Sequence, residues 1–309
     1  MKAYNIGDCI RQLREEQNVN QEDLCRGLCS KSTLSRIERG CHVPSMGTVA
    51  LLLQRLGVNE DYLSFLLGTA EMEISNLHKE IEALNAQRKY DEALQKIGRM
   101  EQLTDPKDRV MQQFLLRSKA LAGHLQDGQR VAYDNLAKRE MLLQAIELTH
   151  PSFSLDNIGR CLLGIDEIKT INQIAITYSD AGDRRYAIHI YRQLFEYPRS
   201  RFYNTEAEVS VLTMMAYNYS RLLGQERRYE ECLEYAQMGY EVCIKFDKTR
   251  MLGGLLINMA CALHELGQDE ESIAKVKDSY HAYRLMQWFP EAENVKKYAK
   301  EVFGLELEP

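Results

Sequence analysis

Asn20–Gly40, NQEDLCRGLCSKSTLSRIERG, reads as two short helices joined by a tight turn. Asn20 caps the first by accepting a backbone N–H bond, with Asp23 three residues on in the capping-box position. Leu24 and Leu28 are four apart and share one inward face. Cys29-Ser30 leaves room only for a tight turn, and Ser30 is a natural cap for the helix that follows. In that second helix Leu34 and Ile37 make the inward stripe, while Lys31, Ser32, Ser35 and Arg36 point outward. Gly40 ends it with the residue that best tolerates a left-handed backbone. A short helix braced by another and presenting polar and basic side chains has the geometry needed to enter a major groove.

These residues resemble the helix-turn-helix of the XRE family, the phage-repressor and Cro class. The matching positions are Gln21, Leu24, Ser30, Thr33, Leu34, Ser35, Ile37, Glu38 and Gly40. The resemblance covers about the first 67 residues and implies a five-helix, lambda-repressor-like domain over residues 1–69. Ile6, Ile10 and Leu13 supply the stripe of helix one, and Cys41-His42-Val43-Pro44 reads as a loop. Val49, Leu52, Leu53 and Leu56 mark a fourth helix; Tyr62, Leu63, Leu66 and Leu67, closed by Gly68, mark a fifth. The resemblance implies that Gln21 anchors helix two to a phosphate and that Lys31, Ser32 and Arg36 approach base edges. Arg and Lys can satisfy both acceptors of a guanine, and Ser can pair with several bases. Arg39 and His42 lie where the loop would pass the phosphate backbone, and Ser30, Thr33 and Ser35 complete the expected DNA-facing set. Glu38 has a structural role by the same resemblance, paired with Arg14. The turn before Ser30 is one residue, a Gly, shorter than in typical members.

The net charge of −6 argues against non-specific nucleic-acid binding by a broadly basic surface. Charges balance over residues 1–70, whereas Arg26, Lys31, Arg36 and Arg39 meet only Glu38 within 26–39. A local basic strip on a neutral module suits a protein that needs a specific site and a dimer to bind tightly.

At 309 residues the chain is expected to hold two domains. Six prolines, eight phenylalanines and one tryptophan, with abundant Leu, Glu, Ala and Arg, favour an all-α body. No apolar run approaches the roughly 20 residues of a membrane span, and the first residues lack a signal-type apolar core, so a cytoplasmic protein is expected. The eight cysteines include no Cys-x-x-Cys pair, so neither a zinc cluster nor a disulfide framework is indicated, and Cys25 and Cys29, one helical turn apart, are expected to be buried reduced thiols.

Beyond residue 70 the pattern becomes repeated helical hairpins, clearest in Ile171–Leu194, Val211–Tyr240 and Leu255–Tyr283. Their turns are Gly182-Asp183-Arg184, Gly224-Gln225-Glu226-Arg227-Arg228 and Gly267-Gln268-Asp269. Second helices open with related phrases, Tyr186-Ala187-Ile188, Tyr229-Glu230-Glu231-Cys232-Leu233 and Glu270-Glu271-Ser272-Ile273, and an earlier copy is Tyr90-Asp91-Glu92-Ala93-Leu94. These phrases resemble the tetratricopeptide repeat, in which a small residue lets the two helices close; Ala93, Ala187, Cys232 and Ser272 are the candidates. Val110–Gly123 and Val131–Leu148 read as one more hairpin, giving about five. Spacings of 45 residues (Ala187 to Cys232) and 40 (Cys232 to Ser272) exceed the usual ~34, so the repeats are degenerate. Stacked hairpins of this kind coil into a right-handed superhelix with a concave wall. Residues Glu291–Phe303, carrying Ala292, Val295, Tyr298, Ala299 and Val302, read as a capping helix, with Pro290 breaking the chain before it.

An XRE-type head at 1–69 followed by such repeats at 70–309 resembles the Rgg/PlcR/PrgX group of Gram-positive regulators, also called RRNPP. The one-residue-short turn at Gly27-Leu28-Cys29-Ser30 is similar to that group's version. The resemblance implies a homodimer that binds a double-stranded DNA operator and a short reimported signalling peptide held in the concave groove. Asn172, Asn218 and Asn258 fall in the first helices of three hairpins, and an Asn amide can serve a peptide backbone as donor and acceptor. The group grips its ligand main chain with such residues; alternatively, these asparagines bond between hairpins. Tyr217 and Arg221 are further peptide-binding candidates. A scaffold for another protein, with no signalling peptide, is the competing role for the repeats. No zinc-protease, phosphate-cradling or Ser/His/Asp pattern is present, so neither an enzyme nor a cofactor is expected.

Overall fold

The computed structural model describes residues 6–58, 69–151, 153–197 and 206–308, with backbone alone for 69–71. The head contains α1 (Ile6–Glu16), α2 (Gln21–Cys25), α3 (Lys31–Glu38) and α4 (Met46–Arg55). Asn20, Ser30 and Ser45 cap the last three, each accepting the backbone N–H three residues on, from Asp23 (2.8 Å), Thr33 (3.1 Å) and Thr48 (3.3 Å). A first helical turn has N–H groups with no partner inside the helix, and these side chains supply one. Ile10, Leu24, Leu34, Ile37, Val49, Leu52, Leu53 and Leu56 form the core, with Ile6, Leu13 and Leu28 packed at its margin. The fifth helix expected from Tyr62, Leu63, Leu66, Leu67 and Gly68 lies outside the described residues.

The link between α2 and α3 differs from the tight Cys29-Ser30 turn. Helix α2 stops at Cys25, and Arg26–Cys29 connects it to Ser30, with Gly27 at φ +76°. Leu28 is therefore a turn residue that rests on the core margin. The helix stops early because Arg55 Nη1 donates to the carbonyls of Leu24 (3.0 Å) and Arg26 (2.8 Å), ending the ladder there.

Among the described residues ten further helices follow in consecutive pairs along the chain: α5 (Thr69–Ala86) and α6 (Tyr90–Leu103), α7 (Arg109–Ala122) and α8 (Asn135–Thr149), α9 (Ile165–Asp180) and α10 (Arg184–Glu196), α11 (Glu206–Gln225) and α12 (Tyr229–Lys245), α13 (Leu252–Glu265) and α14 (Asp269–Leu285). They are followed by α15 (Phe289–Phe303). Two compact units result, Met1–Ala181 with Gln193–Thr205, and Gly182–Arg192 with Glu206–Pro309. The head thus shares its unit with the first repeats.

Ala93, Ala187, Cys232 and Ser272 are all buried, as their small size predicts. Ser272 Oγ donates to the Ala260 carbonyl across the α13–α14 hairpin at 2.7 Å. Three details depart from the sequence reading. Val131 lies in a short antiparallel ribbon, His124–Gln126 with Gln129–Val131, so α8 begins only at Asn135. Asp127-Gly128, both at positive φ, is the tight hairpin turn that makes it. Gly224 lies within α11 rather than in the turn, where Arg227 takes the left-handed conformation. A Cβ on Gly224 would make only an ordinary contact, 3.5 Å from Cys232 Sγ, so the packing of α11 on α12 does not depend on a glycine there. Pro290 lies in the first turn of α15 rather than preceding it, since a first helical turn has no use for the N–H that proline lacks. Helix α15 buries Ala292, Val295 and Ala299 against α13 and α14 residues.

Candidate nucleic-acid interface and ligand-binding face

Lys31, Ser32 and Arg36 of α3 are exposed, and Ser35 is half-buried beside them. Neither Lys31 nor Arg36 forms an ion pair with a described residue, so both cationic heads remain available to base edges. Ser30 Oγ also shares hydrogens with the Ser32 and Thr33 hydroxyls, each at 2.8 Å, drawing these three residues into one cluster at the start of α3. Arg39 and His42 are exposed beyond the other end, and Arg39 Nε donates back to the Ser35 carbonyl at 3.0 Å.

The helix is held from behind by Glu38. Arg14 Nε and Nη2 donate to its two carboxylate oxygens at 2.7 and 3.1 Å, the fork-to-fork geometry that gives strong, directional pairing. Gln21 Nε2 donates to the same carboxylate at 2.7 Å. One buried acid therefore ties α1, α2 and α3 together, and its hydrogen bonds raise the Arg14 pKa further above the ordinary guanidinium value. Gln21, expected as a phosphate anchor, commits a donor to this brace.

The residues proposed for a ligand diverge. Asn258 is 9% exposed, and its amide nitrogen donates to the Tyr217 carbonyl (3.1 Å) and Ser220 Oγ (2.9 Å). Both of its N–H donors thus fasten α13 to α11. Asn172 is buried in α9, in the other unit. Asn218 and Tyr217 are half-buried and Arg221 is exposed on α11. The Tyr217 ring packs against Gly254, where a Cβ would come within 2.5 Å of it.

Sequence reasoning missed two ionic groups, one half-buried and one buried. On the first helices of the first three hairpins, Arg117 Nη2 donates to Glu82 (2.8 Å) and Asp166 (3.1 Å). Lys169 Nζ reaches the same two carboxylates at 2.6 and 3.4 Å. Burial alone would raise the Asp166 pKa, but Lys169 and Arg117 hold it well below the usual carboxylate range. The second group centres on Arg55, wholly buried against Glu167, also wholly buried, from α9. Its signal was in the sequence: Arg55 follows Leu51 and Leu52 by four and three residues, on the same face of an apolar helix. Among the described residues no group of His, Cys, Asp and Glu is arranged to hold a metal ion.

A short exposed helix with two outward cations, braced from behind and followed by helical hairpins, has the architecture of a helix-turn-helix regulator. Residues 10–63 match a helix-turn-helix model, and residues 78–303 match the RNPP family C-terminal domain. The chain belongs to the RNPP family and is a DNA-binding transcription regulator of the RRNPP type. It is similar in fold to Bacillus thuringiensis PlcR in complex with the peptide PapR7 and DNA, at 18% identity and a TM-score of 0.61, over 95% of this chain and 99% of that one. The apo form of that PlcR gives 17% identity and 0.59, over 95% and 98%. ComR from S. thermophilus in complex with DNA and its signalling peptide ComS gives 16% and 0.51, over 97% and 100%. No curated protein matches the chain. No helix among the described residues is long and apolar enough to cross a membrane.

Proposed function

We propose that this chain is a cytoplasmic homodimer that reads a roughly palindromic operator through α3 and changes its grip on DNA when its repeats hold a short signalling peptide. The observation that carries this reading is the braced helix α3, with Lys31 and Arg36 unpaired and outward while Glu38 anchors its back. PlcR and ComR, similar in fold, were each captured with DNA and a peptide, which supports the same two partners here. Residues 1–69 are assigned to DNA reading and 70–309 to ligand binding and dimerisation, a division of roles within a head and repeats that share packing. Asn218, Tyr217 and Arg221 on α11 are the ligand contacts we favour, because Asn258 spends its donors between helices and Asn172 is buried.

Dimer half-sites require a fixed separation of about one or more helical turns, so a ligand that alters the spacing of two heads alters affinity. The test is operator selection from a random duplex pool, followed by binding of Arg36→Ala. We expect relaxed preference at one base position, worth about 1–3 kcal/mol if the contact is bidentate. Unchanged discrimination between selected and scrambled duplexes would remove α3 from the reading role. For the peptide, a small open reading frame beside the gene that encodes an export-type leader with a short tail would favour this reading, and a synthetic copy of that tail should give calorimetric heat and shift operator affinity. Absence of both would turn the repeats into a docking scaffold for another protein.

A further inference from the structure

Arg55 is a cation with five N–H donors placed where no water reaches it. Its Nη1 holds the Leu24 and Arg26 carbonyls, the end of α2 and the start of the turn that leads into the reading helix. Its Nη2 faces the other way, toward the repeats: His150 Nε2 at 2.8 Å, the Thr149 carbonyl at 3.3 Å and Glu167 Oε1 at 3.4 Å. Glu167 is fixed in turn, accepting from Thr149 Oγ1 (2.5 Å) and from the Gly164 N–H at the start of α9 (2.6 Å).

The surroundings are built for close approach. A Cβ on Gly27 would sit 1.8 Å from the Thr149 carbonyl oxygen, and one on Gly164 would sit 2.3 Å from Leu51 Cδ1. The Ile165 N–H donates to Gln54 Oε1 at 3.0 Å, and Arg109 Nη1 donates to the Gly27 carbonyl at 3.1 Å. Glycines from both sides thus let the head and the repeats meet at backbone distance. An apolar contact could slide; a buried guanidinium and carboxylate tolerate only arrangements in which both remain paired.

We propose that Arg55 and Glu167 are positioning residues that couple the first helix of the third hairpin to the reading helix. In this coupling, α9 presents the carboxylate that holds Arg55, and Arg55 holds the turn on which α3 is mounted. Helix α9 also carries Asp166, locked to Arg117 and Lys169 of the inner ionic cluster, so a displacement of the first helices reaches the head through one rigid element. The inference rests on the proposed reading that α3 binds operator DNA and deepens it by naming the route of control.

Coupling is reciprocal, so DNA bound at α3 must be felt at α9. Hydrogen exchange of the full-length protein is followed with and without a duplex that the wild type has selected from a random pool. In the wild type, the duplex should change exchange of the Ile165–Asp180 amides several-fold. Glu167→Gln should still bind the duplex within a few-fold of wild type while the α9 response disappears. The double replacement Arg55→Met with Glu167→Leu guards against misfolding by filling the site without charge, and it should bind and lack the response in the same way. A wild type that selects no duplex overturns the DNA-reading proposal and this inference with it. A bound duplex with no response at α9, or a response that persists in both variants, overturns the coupling alone.

Discussion

At the scale of single residues, two ion pairs, Arg14–Glu38 and Arg55–Glu167, hold the head. Glu38 accepts from Arg14 and Gln21 in a nearly closed site, so removing Arg14 leaves a buried carboxylate without its counter-ion. Arg14→Ala should destabilise the head by about 3–5 kcal/mol, read by denaturant unfolding. A loss no larger than that of an exposed control such as Arg11→Ala would show that the brace contributes little. Glu167 gives a pH signature. Burial would raise its pKa, but Arg55, His150 and Thr149 bring it down from 4.5 to about 2. Its folded-state pKa lies below the unfolded one, so its stabilising contribution is complete above about pH 4.5 and disappears as the pH falls toward 2. The magnitude is on the order of 3 kcal/mol. Protection of the Gly164 and Ile165 amides should decline across that window in the wild type and vary less in Glu167→Gln. Superimposable acid profiles for the two proteins would contradict the assignment.

At the scale of elements, turns and close approaches were harder to read than helices. The helices of the head follow from local signals: a capping residue, an apolar stripe and a terminal glycine. The position of the α2–α3 turn does not, because Arg55, almost thirty residues later, supplies the donors that stop α2. Gly27 combines φ +76° with a backbone oxygen in the space of its missing Cβ, whereas Gly128 has the same φ and nothing within 4 Å. Gly128→Ala should therefore cost only the left-handed penalty of about 1 kcal/mol. Gly27→Ala should cost clearly more and loosen the head from the repeats, as measured by unfolding and by exchange at Arg26–Ser30. Equal costs at the two sites would mean that the contact with Thr149 yields without effort.

At the scale of the whole molecule, asparagines at similar repeat positions are expected to part in their roles. Asn258 ties α13 to α11 through two donors, so Asn258→Ala should lower the melting temperature. Asn218→Ala should weaken peptide binding in calorimetry without unfolding the repeats. A large drop in melting temperature for Asn218→Ala, with peptide affinity intact, would make it another inter-helix fastener. Both asparagines stand in similar apolar phrases, and the sequence offers no way to tell them apart. Asn258 is set apart by the Tyr217 carbonyl and the Ser220 hydroxyl that its amide meets, a property of how α13 packs on α11.

Local chemistry alone determined a great deal here. The caps Asn20 and Ser30, the Leu34 and Ile37 stripe, the Arg14–Glu38 pair and the small residues Ala93, Ala187, Cys232 and Ser272 act over one or two helical turns or through a family-specific spacing, so they can be read from order in the chain. Packing alone decided the rest: where α2 stops, that Gly224 is helical, that Asp127-Gly128 turns a short ribbon, and that Arg55 meets Glu167. Buried polar groups must find partners wherever the fold brings them, often a hundred residues away, and a linear pattern carries no record of which surfaces will close on one another.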